Sequence, residues 1–177
     1  MKLTVPVGRK TVYNSSVGVR RDDGKVWKRG KIMSIKKATM VLEGGATRGV
    51  FTSGVLDLLM EKDIYTSHEI GVSARSCNAV GYVSKQPGRT RNCMIPKEKD
   101  LGYYYGIRDF VKEKSVMNMD MIFDKYVYEI YPFDFDTYFN SEIECEIVTT
   151  NCLTGKAEYM TERKDKDRLM KICRASC

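Results

Sequence analysis

The stretch Glu69-Ile70-Gly71-Val72-Ser73-Ala74-Arg75-Ser76-Cys77-Asn78 decides the fold. Its apolar start predicts a short buried strand over 70–72, and residues 74–84 suit a helix, so Ser73 falls at a tight turn. This is the layout of a nucleophile elbow, G-x-S-x-G, with Arg75 in place of the second glycine. The elbow exposes its serine beside a helix N-terminus, whose dipole favours an oxyanion. Ser73 is therefore the predicted nucleophile, with a helix-capping serine as the alternative.

A glycine-rich loop lies upstream, Glu43-Gly44-Gly45-Ala46-Thr47-Arg48-Gly49, between a predicted strand (38–42) and a predicted helix (49–62). Its backbone N–H groups at Gly44, Gly45 and Ala46 are predicted to bind an oxyanion, because glycines permit the positive φ that such a nest needs. The alternative is a strand-to-helix turn that binds nothing. A nucleotide P-loop is not expected, because no Gly-Lys-Ser/Thr follows, and GGATRG does not fit G-x-G-x-x-G.

At these two motifs the sequence resembles the patatin-like phospholipases, most closely the bacterial branch. That family has a D/E-G-G-G-x-R-G loop, then G-x-S-x-G, and later D-G-G or D-G-A. The likeness runs from about Met33 to Cys177 and includes VLEGGATRGVFTSGVLDLLMEKDI, IGVSARSCNAVGYVSKQPGR, PFDF and EIVTTNCLTGKAEYM. It implies a three-layer α/β/α fold with a mainly parallel central sheet, and a Ser–Asp dyad that hydrolyses lipid acyl esters. Arg48 resembles the loop arginine of the family, with a solvated residue at a helix start as the alternative.

The general base is the main departure from this resemblance. His68 is the single histidine and lies five residues before Ser73, roughly 16 Å away in an extended strand. A Ser-His-Asp triad needs contact at about 3 Å and is excluded, so His68 is assigned to a strand edge. The family's aspartate follows a helix that ends in an Ala-Ser pair, but here Arg174-Ala175-Ser176-Cys177 closes the sequence. The domain is expected to be C-terminally incomplete and inactive, with Asp134 and Asp136 structural or on the surface.

Two substitutions also depart from the family pattern. Ala46 replaces the third loop glycine, and a residue other than glycine at positive φ costs on the order of 1–2 kcal/mol. Arg75 is predicted either to lie over Ser73, where it would obstruct the oxyanion pocket, or to pair with a carboxylate. The alternative is a side chain along the helix surface with its charge in water. Together with the missing aspartate, these departures favour a degenerate or truncated relative of the family. The alternative function is a non-catalytic pseudoenzyme or interaction module.

The positive charge is confined to one end of the chain. Residues 1–32 hold nine Lys or Arg and two Asp, which accounts for the whole net charge of +7. The charge distribution divides the chain into two segments. The first is a basic N-terminal arm (1–32), interpreted as disordered or non-native, and the second is the expected patatin-like domain (33–177). Such an arm favours peripheral contact with an anionic membrane or a partner, and nucleic acid is not expected.

The remaining composition narrows the class of protein. No apolar run reaches the length of a membrane span and the first ten residues are not a signal peptide, so a cytoplasmic protein is expected. Six cysteines without metal spacing and one histidine predict no metal site and no cofactor. The expected substrate is a lipid or a small ester. Further predicted elements are helices over 99–113, 119–130 and 165–175, and an antiparallel pair of strands over 143–150 and 156–160.

Overall fold

The computed structural model describes residues 34–97, 102–103 and 116–177, all within one compact unit, Met33–Cys177. The predicted basic arm and nearly all of the helix predicted over 99–113 lie outside the described residues. Among the helices of the described part, none has the length and apolarity to cross a membrane.

A four-stranded, mostly parallel sheet forms the centre of the described residues. Its strands β1 (Ser34–Leu42), β2 (Ile64–Val72), β3 (Glu144–Thr150) and β4 (Ala157–Met160) lie in the order β1-β2-β3-β4. The first three are parallel, and β4 runs antiparallel to β3. The predicted α/β class with a mainly parallel sheet is confirmed at this level.

The strand register brings the two sequence motifs together. Leu42 of β1 pairs with Gly71 of β2, so both strands end at the same edge of the sheet. The glycine loop leaves β1 there, and the serine turn leaves β2 there. In open α/β sheets, ligands bind at the carboxyl ends of the strands, so the register predicts a site at this edge.

Six helices of the described residues connect and flank the strands. They are α1 (Gly49–Glu61), α2 (Ala74–Val83), α3 (Arg89–Met94), α4 (Met121–Ile130), α5 (Phe135–Phe139) and α6 (Lys166–Ser176). A single 3₁₀ turn, Ala46–Arg48, precedes α1, and α4 is wound as a π-helix. Asp134 accepts the Thr137 N–H and caps α5, which confirms its structural role, whereas the exposed Asp136 lies in the first turn of that helix.

Helix α1 presents a different face to the core from the one its apolar residues suggest. The sequence places Val50, Phe51, Val55, Leu58 and Leu59 on one apolar side. The structure instead buries Gly49, Ser53, Leu56 and Met60, while Phe51 is 80% exposed. The buried set has the same helical spacing but smaller side chains at its start. Close approach decides the face, since a Cβ at Gly49 would lie 3.1 Å from Asn78 Nδ2 of α2.

His68 lies in a central strand, so its assignment to a strand edge is wrong. β2 is flanked by β1 on one side and by β3 on the other. The His68 ring makes hydrogen bonds in both directions, between Nδ1 and Thr39 Oγ1 at 3.2 Å and between Nε2 and Glu146 Oε2 at 3.1 Å. Both ring nitrogens are thus engaged within the sheet.

Candidate active site

Ser73 occupies a strained turn between β2 and α2. Its backbone has φ 56° and ψ −138°, a combination that costs a non-glycine residue about 1–3 kcal/mol. The carbonyl of Ser73 accepts the Ser76 N–H at 2.8 Å, which begins α2 directly after the turn. Strained backbone of this kind persists where the surrounding structure enforces it, and such positions cluster at functional sites.

Gly71 permits the close packing that this turn requires. A Cβ at Gly71 would lie 2.7 Å from Ser76 Cα and 2.9 Å from Ala79 Cβ. The incoming strand and the outgoing helix are therefore in direct contact, with no space for a side chain between them. Gly71, the first glycine of G-x-S-x-G, is therefore required by close packing of β2 against α2. The positive φ of the turn occurs at Ser73 itself.

The glycine loop lies beside Ser73, but its glycines do not have the predicted conformation. Gly45 is extended, with φ 172°, and Gly44 is not among the positive-φ residues. Only Ala46 has positive φ, at 46°. The expectation that glycines supply positive φ is wrong at these positions. Gly44 lies against the serine turn, and a Cβ added there would be at ordinary van der Waals distance, 3.5 Å, from Ser73 Cβ.

Arg75 binds the glycine loop, which none of the orientations considered from sequence anticipated. Its Nη1 donates to the carbonyl oxygen of Gly44 at 3.1 Å and also to that of Glu43. Its Nε donates to Thr52 Oγ1 of α1 at 2.8 Å. The guanidinium therefore pairs with backbone carbonyls and a hydroxyl, and forms no ion pair with a carboxylate of the described residues. It joins α2, α1 and the loop.

Arg48 is exposed, at the junction of the 3₁₀ turn and α1. Its backbone N–H donates to the Gly45 carbonyl at 3.0 Å and closes the turn. Its side chain makes no hydrogen bond or ion pair with any residue the structure describes. This position agrees with the solvated alternative and gives no support to a role at the oxyanion.

Ser176 is a neighbour of Ser73 that the sequence motifs did not indicate. Its Oγ accepts the backbone N–H of Ser73 at 2.8 Å and donates to the Val148 carbonyl of β3 at 2.6 Å. Val148 pairs with Val72 across the sheet, so one hydroxyl joins the turn to β3 and to the end of α6. The resemblance drew attention to the pair Ala175-Ser176 as the end of a helix. Nothing in its distance along the sequence from Ser73 predicts that the two serines are in contact.

An apolar cavity of about 160 Å³ opens beside Ser73. Its apolar lining comes mainly from α2, α3, α4 and α6, and includes Val80, Met94, Ile122, Phe123, Val127 and Met170. Ala46, Thr47 and Ala74 lie on its wall with Ser73, so the cavity reaches both motifs. A cavity with such a lining is suited to hydrocarbon rather than to a charged ligand.

Four of the six cysteines also line this cavity: Cys77, Cys93, Cys173 and Cys177. Hydrogen bonding to Cys177, together with burial, raises the pKa of Cys77. Burial raises the pKa of Cys93 to about 11 and also raises that of Cys173. These three thiols stay neutral near pH 7 and keep the wall weakly polar. Hydrogen bonding from Cys77 lowers the pKa of the Cys177 thiol.

No base for Ser73 is found among the described residues. None of their carboxylates or ring nitrogens forms a hydrogen bond with Ser73 Oγ. His68 is held by Glu146 within the sheet. Glu69, four positions before Ser73 on β2, is fully buried and its Oε1 accepts from Thr66 Oγ1. No group of three or more metal-ligating side chains occurs in the described part of the chain.

Comparison with known proteins gives a partial match. No protein-family profile matches the sequence. The chain is similar to the uncharacterized protein YjjU of Escherichia coli strain K12, at 30% identity over 91 residues. The match covers 49% of this chain and 24% of YjjU, so the chain spans about a quarter of that relative's length.

Proposed function

We propose that this chain carries the nucleophile and the oxyanion loop of a patatin-like serine hydrolase that acts on lipid acyl esters, within a three-layer α/β/α fold. One observation carries the proposal: Ser73 lies on a strained strand-to-helix turn, against Gly44 and on the wall of an apolar cavity. A helix-capping serine would not explain this combination. The Ser73 side chain makes no cap hydrogen bond to α2, so its hydroxyl has no structural task there.

The chemistry follows from this placement. Ser73 Oγ attacks the carbonyl carbon of an ester, and the carbonyl oxygen acquires negative charge in the tetrahedral intermediate. Backbone N–H groups of the glycine loop and the N-terminus of α2 stabilise that charge. The alcohol leaves, and an acyl group stays on Ser73 until water removes it. A base must accept the Ser73 proton, and the described residues do not provide it.

The cavity supports an acyl chain as the substrate group. Its walls are built of aliphatic, aromatic and thioether side chains, and its thiols are mostly neutral. Burying a methylene group contributes about 0.8 kcal/mol, so even a short acyl chain gains several kcal/mol there. A cytoplasmic location and contact of residues 1–32 with anionic membrane belong to the same proposal and rest on charge and composition.

The second candidate is a non-catalytic pseudoenzyme or interaction module. The observation in its favour is that Ser73 Oγ has no base among the described residues. An alcohol without a base stays protonated, and general-base catalysis typically contributes about 10²–10⁴-fold in rate. The apolar cavity would then bind a lipid without turning it over.

Phosphonylation of Ser73 separates the two functions. We expect an alkyl fluorophosphonate to add one adduct to the folded chain, detected by intact mass and located at Ser73 by peptide mapping. Oxyanion binding without a full catalytic triad still gives about 10³–10⁴-fold over water, so labelling should be far faster than for the chain unfolded in guanidinium. Ser73→Ala should abolish the adduct, and Ser141→Ala should retain it. Equal labelling rates in the folded and unfolded chain would support the non-catalytic module.

A further inference from the structure

Arg75 holds the carbonyl side of the glycine loop. It donates to the carbonyl oxygens of two consecutive peptide units, those of Glu43 and Gly44. In a trans peptide the C=O and N–H bonds point in opposite directions, and the described chain contains no cis peptide. The N–H groups of Gly44 and Gly45 belong to these two units. They therefore point away from the guanidinium, and no described residue accepts a hydrogen bond from either.

Contacts on both sides fix where this loop lies. On one side, a Cβ at Gly44 would meet Ser73 Cβ at 3.5 Å. On the other, a Cβ at Gly45 would meet Arg75 Nη1 at 3.0 Å and Cζ at 3.2 Å. The loop backbone thus lies between the nucleophile turn and the guanidinium, with ordinary contact at Gly44 and a close approach at Gly45, where a side chain would press on the guanidinium. Thr52 Oγ1 accepts from Nε at 2.8 Å and holds the side chain in this position.

We propose that Arg75 is a positioning residue, which fixes the loop so that the N–H groups of Gly44 and Gly45 face the oxyanion formed at Ser73. This proposal rests on the proposed hydrolase function. The guanidinium lies on the carbonyl side of both peptides and acts through the loop, so it is not itself a catalytic group. A planar fork of donors can bind two carbonyls and a hydroxyl together, which a lysine ammonium on a flexible stem does less well.

The loop needs such a support because little else restrains it. Gly44 is exposed, Gly45 is half-buried, and Ala46 has a strained positive φ. The backbone hydrogen bonds of the 3₁₀ turn, from the Arg48 N–H to the Gly45 carbonyl and from the Gly49 N–H to the Ala46 carbonyl, lie behind the two peptide units that Arg75 binds. Without Arg75, the carbonyls of Glu43 and Gly44 can bind water equally well after a peptide rotation. Such a rotation would turn the N–H donors away from the reacting carbonyl.

The test compares the full wild-type chain with Arg75→Gly, Arg75→Lys and Thr52→Val. Arg91→Ala, which removes an exposed arginine of α3 outside the loop, is the matched control. Two quantities are measured for each protein. Nitrogen-15 relaxation gives the order parameters of the Gly44 and Gly45 amides, and an alkyl fluorophosphonate gives the rate constant and the apparent affinity for labelling of Ser73.

For Arg75→Gly we expect the two amide order parameters to fall from about 0.85, typical of rigid backbone, to below about 0.6. We expect the labelling rate constant to fall roughly 10²-fold, as when one oxyanion donor is removed, while the apparent affinity stays within twofold. Millimolar guanidinium should restore part of the rate in Arg75→Gly and leave Arg91→Ala unchanged. Arg75→Lys and Thr52→Val should lie between the wild type and Arg75→Gly.

Two results would overturn the proposal. One is unchanged order parameters and labelling in Arg75→Gly, which would make the guanidinium a surface contact only. The other is faster labelling in Arg75→Gly, which would show that Arg75 obstructs the site. If wild-type Ser73 is not labelled at all, the hydrolase function fails instead. In that case unchanged order parameters still reject loop fixation, and a fall still supports it.

Discussion

The hydroxyl oxygen of Ser176 accepts the backbone N–H of Ser73 at 2.8 Å, although 103 positions separate the two residues. The same hydroxyl donates to the Val148 carbonyl at 2.6 Å. A strained turn at the end of one strand is thereby held by the neighbouring strand and by the last residue of α6. The turn and its support are far apart in the sequence, so the nucleophile geometry depends on the packing of α6 and β3 against β2.

Removing the Ser176 hydroxyl should therefore destabilise the protein. Ser176→Ala leaves the Ser73 N–H and the Val148 carbonyl without their partner, and each unsatisfied group costs about 1–3 kcal/mol when buried. Because this contact is only partly buried, we expect the free energy of unfolding in urea to fall by roughly 1–2 kcal/mol. The exposed Thr154→Ala serves as the control and should change it by less than about 0.5 kcal/mol. Identical urea midpoints for Ser176→Ala and wild type would refute this.

Replacing Ser73 by glycine should stabilise the protein while removing its nucleophile. Glycine adopts φ 56° without strain, which raises the free energy of unfolding by about 1–3 kcal/mol. The greater conformational entropy of glycine in the unfolded chain lowers it by about 0.5–1 kcal/mol. We expect Ser73→Gly to raise the melting temperature, Ser73→Ala to leave it nearly unchanged, and both to lose fluorophosphonate labelling. A lower melting temperature for Ser73→Gly than for Ser73→Ala would argue against strain at this turn.

Two glycine-to-alanine changes should have opposite effects on stability. In Gly71→Ala the new Cβ would lie 2.7 Å from Ser76 Cα, so β2 and α2 must separate, at a cost of about 1–3 kcal/mol or more. In Gly54→Ala nothing lies within 4 Å of the new Cβ on the exposed side of α1, and alanine favours the helix by about 0.5–1 kcal/mol. Thermal unfolding of both variants checks the pair, and equal shifts would contradict the packing at the elbow.

The elements of this fold were largely predictable, because strong local signals coincide with them. The glycine loop and the helix after Ser73 appear where the sequence predicts them, and β1 and β2 end as predicted but begin at Ser34 and Ile64, before the predicted residues 38 and 70. What failed depended on contacts distant in sequence. The buried face of α1 is decided by close approach at Gly49. The central position of His68 depends on the pairing of β2 with β3, which carries Glu146, 78 residues further along the chain. Two of the three acceptors for Arg75 are backbone carbonyls, which every residue type carries, so the sequence does not identify them.

The described residues predict labelling of Ser73 without steady turnover. Deacylation requires a base that activates water, and no described carboxylate or imidazole reaches Ser73 Oγ. We expect hydrolysis of a short-chain p-nitrophenyl ester by wild type to equal that by Ser73→Ala within error. Clear Ser73-dependent turnover would mean that a carboxylate of this chain does serve as the base. A scan of glutamate-to-glutamine variants, beginning with the exposed Glu43 at the start of the loop, would then locate it.

Glu69 should make the stability of the protein depend on pH. Burial raises the pKa of this carboxyl from its ordinary value of 4.5 to about 7, although a hydrogen bond from Thr66 opposes the shift. Its Oε2 has no hydrogen-bond partner among the described residues, so the neutral form suits the site. The folded state then holds the proton more tightly than the unfolded state, and stability is greatest below about pH 4.5. It falls as the pH rises through 7, because the unfolded state ionises first.

At 1.36 kcal/mol for each unit of pKa shift, this loss amounts to roughly 3 kcal/mol between pH 4.5 and 7. Urea unfolding at a series of pH values measures it. Glu69→Gln cannot ionise and should flatten the profile over that range, whereas Glu129→Gln, at an exposed position of α4, should leave the wild-type slope in place. The contrary result is a wild-type stability that rises from pH 5 to 7, with the same slope in Glu69→Gln. It would show that Glu69 is ionised in the folded protein and that the sheet accommodates its charge.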